Sequence, residues 1–122
     1  MTKAAAIYQF WNSFGLTAYE ENTVPHDAAF PYITYQLVAD SFDREVPVTA
    51  SLWYRSESWT DINAKTEEIS HTISRGGKII PFDGGAIWLK RGQPFAQNMV
   101  AESDDLIKRK YLNVTAEFIT AD

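Results

Sequence analysis

At 122 residues the chain has room for one domain and little more. Its 45% hydrophobic and 22% charged content is that of a globular domain, not of a disordered chain. A net charge of −5 argues against sequence-independent nucleic-acid binding and against docking on anionic lipid, and the lack of cysteine excludes disulfides, thiolate metal sites and cysteine nucleophiles.

The first residues do not read as a signal peptide, because Gln9 and Asn12 interrupt a short apolar run. Nor does any stretch reach the length of a membrane span. Ile7, Phe10, Trp11 and Phe14 recur at the spacing of one helical face and predict a helix over residues 3–14, with Gly15 as its left-handed cap. Thr17 to Glu20 predicts a short strand, and the prolines at 25 and 31 a loop.

From Tyr32 to Val38 the pattern alternates, with Ile33, Tyr35 and Leu37 on one face. A charged segment, Asp40 to Glu45, follows. Val48, Ala50, Leu52 and Tyr54 then alternate with Thr49, Ser51 and Trp53, which predicts a second strand paired with the first. Ser58, with Asp61 three residues on, predicts the start of a second helix. Its buried face is Ile62, Thr66, Ile69 and Ile73, and Gly76-Gly77 is its expected end, after Arg75.

Lys78 to Pro81 reads as extended and Asp83-Gly84-Gly85 as a turn. Ala86 to Lys90 predicts a strand that ends at Arg91-Gly92-Gln93-Pro94, with another over Phe95 to Ala101. Tyr111 to Ile119 is the clearest strand, with Leu112, Val114, Ala116 and Phe118 on its inner face. The order predicts one α+β domain over residues 1–122: a mostly antiparallel β-sheet with two helices packed on one face.

Catalytic and metal signals are weak. His26 and His71 have no partner histidine at helical spacing, whereas a zinc site needs three or four converging ligands. The carboxylate pairs at Glu20-Glu21, Glu67-Glu68 and Asp104-Asp105 are adjacent in sequence and therefore diverge. No serine sits in a Gly-x-Ser-x-Gly elbow, and Gly76-Gly77-Lys78 lacks the rest of a phosphate loop. The expectation is a non-enzymatic protein without cofactor or metal.

Lys90, Arg91, Lys108, Arg109 and Lys110 read as a basic patch, half of a charge-complementary protein interface or an ordinary wet strand end. Aromatics make up 14% of the chain. Trp53 alternates with the core positions of its strand, so it faces away from them. It marks either an oligomer surface or a face covered by loops or a helix.

The run Phe30-Pro31-Tyr32-Ile33-Thr34-Tyr35-Gln36-Leu37, the charged loop after it, and Ala50-Ser51-Leu52-Trp53-Tyr54-Arg55-Ser56 leading into a helix resemble the tail terminator (tail completion) proteins of long-tailed bacteriophages. Gly84 to Gly92 is similar to small prophage tail-module proteins. The resemblance covers most of the chain and rests on an ordered set of segments, with no single diagnostic motif.

It implies a hexameric ring that caps the tail tube and joins the tail to the head. The partners are copies of the chain, the tail tube protein and a head-completion or connector protein, and DNA passes the pore as cargo. The protein is then made in the host cytoplasm and ends in the virion, with no membrane and no cofactor. The same pattern leaves a head-completion ring protein, or a small ligand- or peptide-binding domain, as alternatives.

Physical reasoning places the expected interface residues. Asp40, Asp43, Arg44 and Glu45 lie in the charged loop and suit docking. Trp53 belongs to the outer sheet face. Arg55, Arg91 and Arg109 are candidates for intersubunit ion pairs, with Asp104 and Asp105 as partners.

Overall fold

The structure is a computed structural model that describes residues 1–36, 45–100 and 104–120, of which Val100 and Thr120 are described by backbone alone. Helix α1 spans Lys3–Trp11 and runs into a 3-10 turn, Asn12–Phe14. The Thr2 hydroxyl accepts from the Ala5 N–H at 3.1 Å and caps the start. Gly15, at φ +81, closes the end in the left-handed conformation, as the sequence predicts. Ala6, Ile7, Phe10, Trp11 and Phe14 are all buried, so the apolar spacing does mark the inner face.

The strands are β1 (Thr17–Glu20), β2 (Tyr32–Tyr35), β3 (Val46–Pro47), β4 (Ala50–Arg55), β5 (Lys78–Phe82), β6 (Gly85–Val100) and β7 (Ile107–Thr120). Among the described residues they form one sheet in the order β1-β2-β4-β7-β6-β5, with the short β3 also on β7. Strands β2 and β4 pair antiparallel, as predicted. The β1–β2 pair is parallel, which local pattern does not reveal. The fold is thus α+β with a mostly antiparallel sheet.

Register fixes which residues share a face. Ile33, Leu52 and Lys110 stand side by side, and so do Tyr35, Ala50, Leu112 and Ala96. Further along, Ile87 lies opposite Phe118, and Leu89 opposite Ala116. Ile33, Leu52, Ile87, Leu89 and Leu112 are fully buried, each contributing about 1.5–3 kcal/mol of transfer free energy. Leu112, Val114, Ala116 and Phe118 are the buried positions of β7, as their alternation requires.

Helix α2 spans Thr60–Ile73 and packs on β4, β6 and β7, whereas α1 packs on β1 and β5. Ile62, Thr66, Ile69 and Ile73 are its buried residues, as expected, and Thr66 returns its hydroxyl to the Ile62 carbonyl at 2.7 Å. Its start differs from the capping-box expectation. Trp59 is the cap residue, and the Ser58 hydroxyl instead accepts from the Thr60 N–H at 3.0 Å. Its end also comes earlier than Arg75: Ser74 already leaves the helix at φ 68.

The two strands expected over 86–90 and 95–101 are a single strand, β6. The predicted break is a bulge: Arg91 pairs with Val114 and Ala96 with Leu112, so the four residues between them face Asn113 alone. The Asn113 side-chain amide donates to the Pro94 carbonyl at 2.9 Å and holds the bulge against β7. Asp83-Gly84 forms the tight turn between β5 and β6 that the sequence predicts.

Candidate functional site

Odd positions of β7 and their cross-strand partners make up the second sheet face. Tyr32, Trp53, Arg109 and Met99 stand in one row, and Tyr19, Thr34, Ser51, Tyr111 and Gln97 in the next. Trp53 therefore does face away from Leu52, as its alternation predicts. Its indole N–H donates to the Thr34 hydroxyl at 2.8 Å, which lays the ring over the neighbouring row.

Arg109 behaves in the same way. Its Nε donates to the Ser51 hydroxyl at 3.1 Å, and its guanidinium sits 4.8 Å from the Trp53 ring and 6.0 Å from that of Tyr111. Tyr32 lies beside Trp53 with rings nearly parallel, 18° at 6.1 Å. Tyr19 and Phe30 meet Tyr32 at 5.8 Å and 5.2 Å. Burial pushes the Tyr32 phenol above its ordinary pKa, and Tyr19 adds to the shift.

The result is a platform of π-systems and one guanidinium whose side chains are partly exposed. The small hydroxyl residues Thr34 and Ser51 lie buried beneath it. Met99, 37% exposed, and Phe30, 36% exposed, are among its rim residues. Such a surface carries apolar area, planar stacking partners and charge together, as the centres of protein interfaces do.

The remaining expected interface residues scatter around this platform. Asp40, Asp43 and Arg44 lie outside the described residues. Glu45 pairs with Lys90 at 2.5 Å, and Lys90 also approaches Glu117 at 3.6 Å and the Trp88 ring at 3.9 Å. The hydrogen bond to Glu45 is the main reason the Lys90 ammonium is held above its usual pKa. Arg55 meets Asp104 within the chain at 3.2 Å. Asp105 is exposed, and its carbonyl accepts from Lys108 Nζ at 2.5 Å. Arg91 donates to the Ser70 hydroxyl at 2.8 Å.

The basic run of β7 does not form one patch. Alternation sends Arg109 to the platform and turns Lys108 and Lys110 to the opposite face. There both ammonium groups lie 5.8 Å from the Trp59 ring, and Lys110 also reaches the Asn63 side chain. Burial lowers the Lys110 pKa. The strand predicted from the sequence begins at Tyr111 and leaves the three cations together; continuing its period of two back to Ile107 is the signal that separates 109 from 108 and 110.

The Asp104 carboxylate is held below the usual value of 3.8, first by the Leu106 backbone N–H, which it accepts at 2.9 Å, and then by Arg55. The unfolded chain therefore takes up that proton first. Stability from Asp104 is present in full above 3.8 and is lost as pH falls through the lower folded value. The stability difference between the wild type and Asp104→Asn, measured by urea unfolding, is expected to stay level from about pH 6 to about pH 5 and to shrink below that as pH falls toward about 2.

His26 and His71 are both exposed, and no group of three or more metal-ligating side chains occurs among the described residues. No helix there is long and apolar enough to cross a membrane. No known protein-family model matches the chain, and no curated protein is significantly similar to it in sequence.

Proposed function

We propose that this chain is a structural protein of a long-tailed phage: a tail terminator that closes into a ring of six copies, as the resemblance implies, caps the tail tube and joins it to the head. The observation that carries the reading is the Tyr32–Trp53–Arg109 platform, with Phe30 and Met99 at its rim. In this reading the two helices, α2 on β4, β6 and β7 and α1 on β1 and β5, cover the opposite face of the sheet, and the platform meets a neighbouring subunit. The ordered resemblance of residues 30–37, 50–56 and 84–92 to terminator proteins supplies the assembly.

Ring closure needs heterologous contacts, in which one surface of a subunit meets a different surface of the next. Here the platform is one such surface. The net charge of −5 suits a ring through which DNA slides without adhering. The role needs no catalytic group and no cofactor, and it places the protein in the virion after synthesis in the host cytoplasm.

The test is the solution mass over a range of concentrations, with negative-stain imaging, alone and mixed with tail tubes. Rings are expected, either free or on the tube ends. Met99→Glu puts a charge at the platform rim without touching the core. It is expected to weaken association by about 30-fold or more, with an unchanged thermal midpoint. A strict monomer that also ignores tail tubes, or rings indifferent to Met99→Glu, sinks this reading. The platform would then serve a small ligand or a peptide, and its ligand would raise the thermal midpoint.

A further inference from the structure

A second feature lies on the other side of the bulge. The segment after α2, Arg75-Gly76, and the bulged stretch of β6 line an open cleft of about 610 Å³, with Trp88, Lys90, Arg91 and Phe95 among its walls. Three cations in one cleft are unusual in a chain of net charge −5. Lys90 is matched by Glu45 and Glu117. Arg75 and Arg91 have no carboxylate partner among the described residues.

Arg91 is the more telling of the two. Its register opposite Val114 puts it on the core side of β6, and it is only partly exposed. A guanidinium at such a position normally meets a carboxylate, because losing water costs several kcal/mol unless the charge is compensated (about 3–5 kcal/mol when a partner is removed). Here its one hydrogen-bond partner among the described residues is the neutral Ser70 hydroxyl. That bond orients the guanidinium and leaves its formal charge unmatched.

The walls are held in place. The Trp88 indole N–H donates to the Gly76 carbonyl at 3.0 Å, which ties β6 to the segment after α2. Beside Arg91, Gly92 lies so close to Asn113 that a Cβ there would come within 2.8 Å of the Asn113 Cβ. Bulges of this kind re-aim side chains, and this one follows directly on Arg91. The carbonyl end of α2 lies near and carries partial negative charge, but the arginines bring full positive charges.

We infer that this cleft is a phosphate-binding site, in which Arg75 and Arg91 grip the oxygens of a phosphate dianion through their planar donor forks. Arginine is the side chain best matched to phosphate, since it stays charged and presents paired donors. Free phosphate and the phosphate of a nucleotide share this chemistry, and the base of a nucleotide would lie against Trp88 or Phe95. The site is independent of the ring reading and uses none of the platform residues.

The experiment titrates inorganic phosphate, and separately a mononucleotide, into the full chain by calorimetry. Arg75→Ala and Arg91→Ala are measured beside the wild type, and circular dichroism establishes that each variant is folded. Arg91→Lys serves as a milder variant, retaining charge without the fork. Saturable binding of either titrant is expected, weakened about tenfold or more by each alanine variant and partly restored by Arg91→Lys. Tighter binding of the mononucleotide identifies the carried phosphate as the ligand, and equal binding identifies free phosphate. No binding of either titrant up to about 10 mM overturns the site, as does binding unaffected by both alanine variants.

Discussion

Replacing Trp11 by alanine is expected to lower the folding free energy by about 3–5 kcal/mol. Trp11 is fully buried and is the largest of the fully buried side chains. It meets Phe10 edge-on at 4.9 Å and Phe14 at 6.5 Å, and so ties α1 and its 3-10 turn into one aromatic cluster. Domains of this size have about 5–15 kcal/mol in total, so the alanine variant should stand near the edge of folding.

Trp11→Phe should behave very differently. The Trp11 indole N–H is buried without a hydrogen-bond partner among the described residues. An unmatched donor costs about 1–3 kcal/mol, and phenylalanine removes it while keeping an aromatic ring in the site. That gain offsets much of the lost volume, and the variant is expected within about 1.5 kcal/mol of wild type. Urea unfolding of both variants checks the pair. A phenylalanine variant as unstable as the alanine one would mean that the indole N–H is satisfied after all.

Gly77→Ala is the second large effect, through the backbone. Gly77 sits at φ +88, a conformation that costs other residues about 1–2 kcal/mol. The added Cβ would also come within 2.4 Å of Trp88 Nε1 and 2.6 Å of the Leu89 carbonyl oxygen. The indole can turn only by giving up its bond to Gly76, and the carbonyl belongs to β6. A loss of about 3 kcal/mol or more is expected.

Gly84→Ala provides the comparison. Gly84 has φ +93, but nothing lies within 4 Å of a Cβ built there. Its cost is conformational alone, about 1–2 kcal/mol. Thermal unfolding of the two variants separates strain from collision. Equal losses would show that the approach of Trp88 and Leu89 to Gly77 does not hold in solution.

The limits of the sequence follow the same division between local and distant causes. The burial faces of α1, α2 and β7 were legible, because helices and strands repeat at periods that a short window contains. So were the cap at Gly15, the turn at Asp83-Gly84 and the outward side of Trp53. Each depends on residues within a few positions of one another.

The early end of α2 was not legible. Arg75 and the two glycines suggested a later stop, but Ser74 already leaves the helix, and Gly77, three residues on, is packed against Trp88 of another element. The break expected in β6 was likewise a bulge, since Gly92 to Phe95 wrap around Asn113 on the partner strand and pairing resumes at Ala96.

Of the candidate site, the sequence by itself determined that Trp53 lies on a strand and alternates away from the core, whereas the placing of Arg109 on β7 came from the structure, where the strand begins at Ile107. Only the tertiary structure decided that they meet. Tyr32, Trp53 and Arg109 come from three strands brought into one row by register, and Arg55 finds Asp104 across 49 positions of chain. The same holds for the cleft, where the end of α2 reaches the bulge of β6. Periodicity tells a residue which side of its own element it occupies. Which neighbours share that side is settled by strand order and packing, where the free energy depends on contacts between residues far apart in sequence.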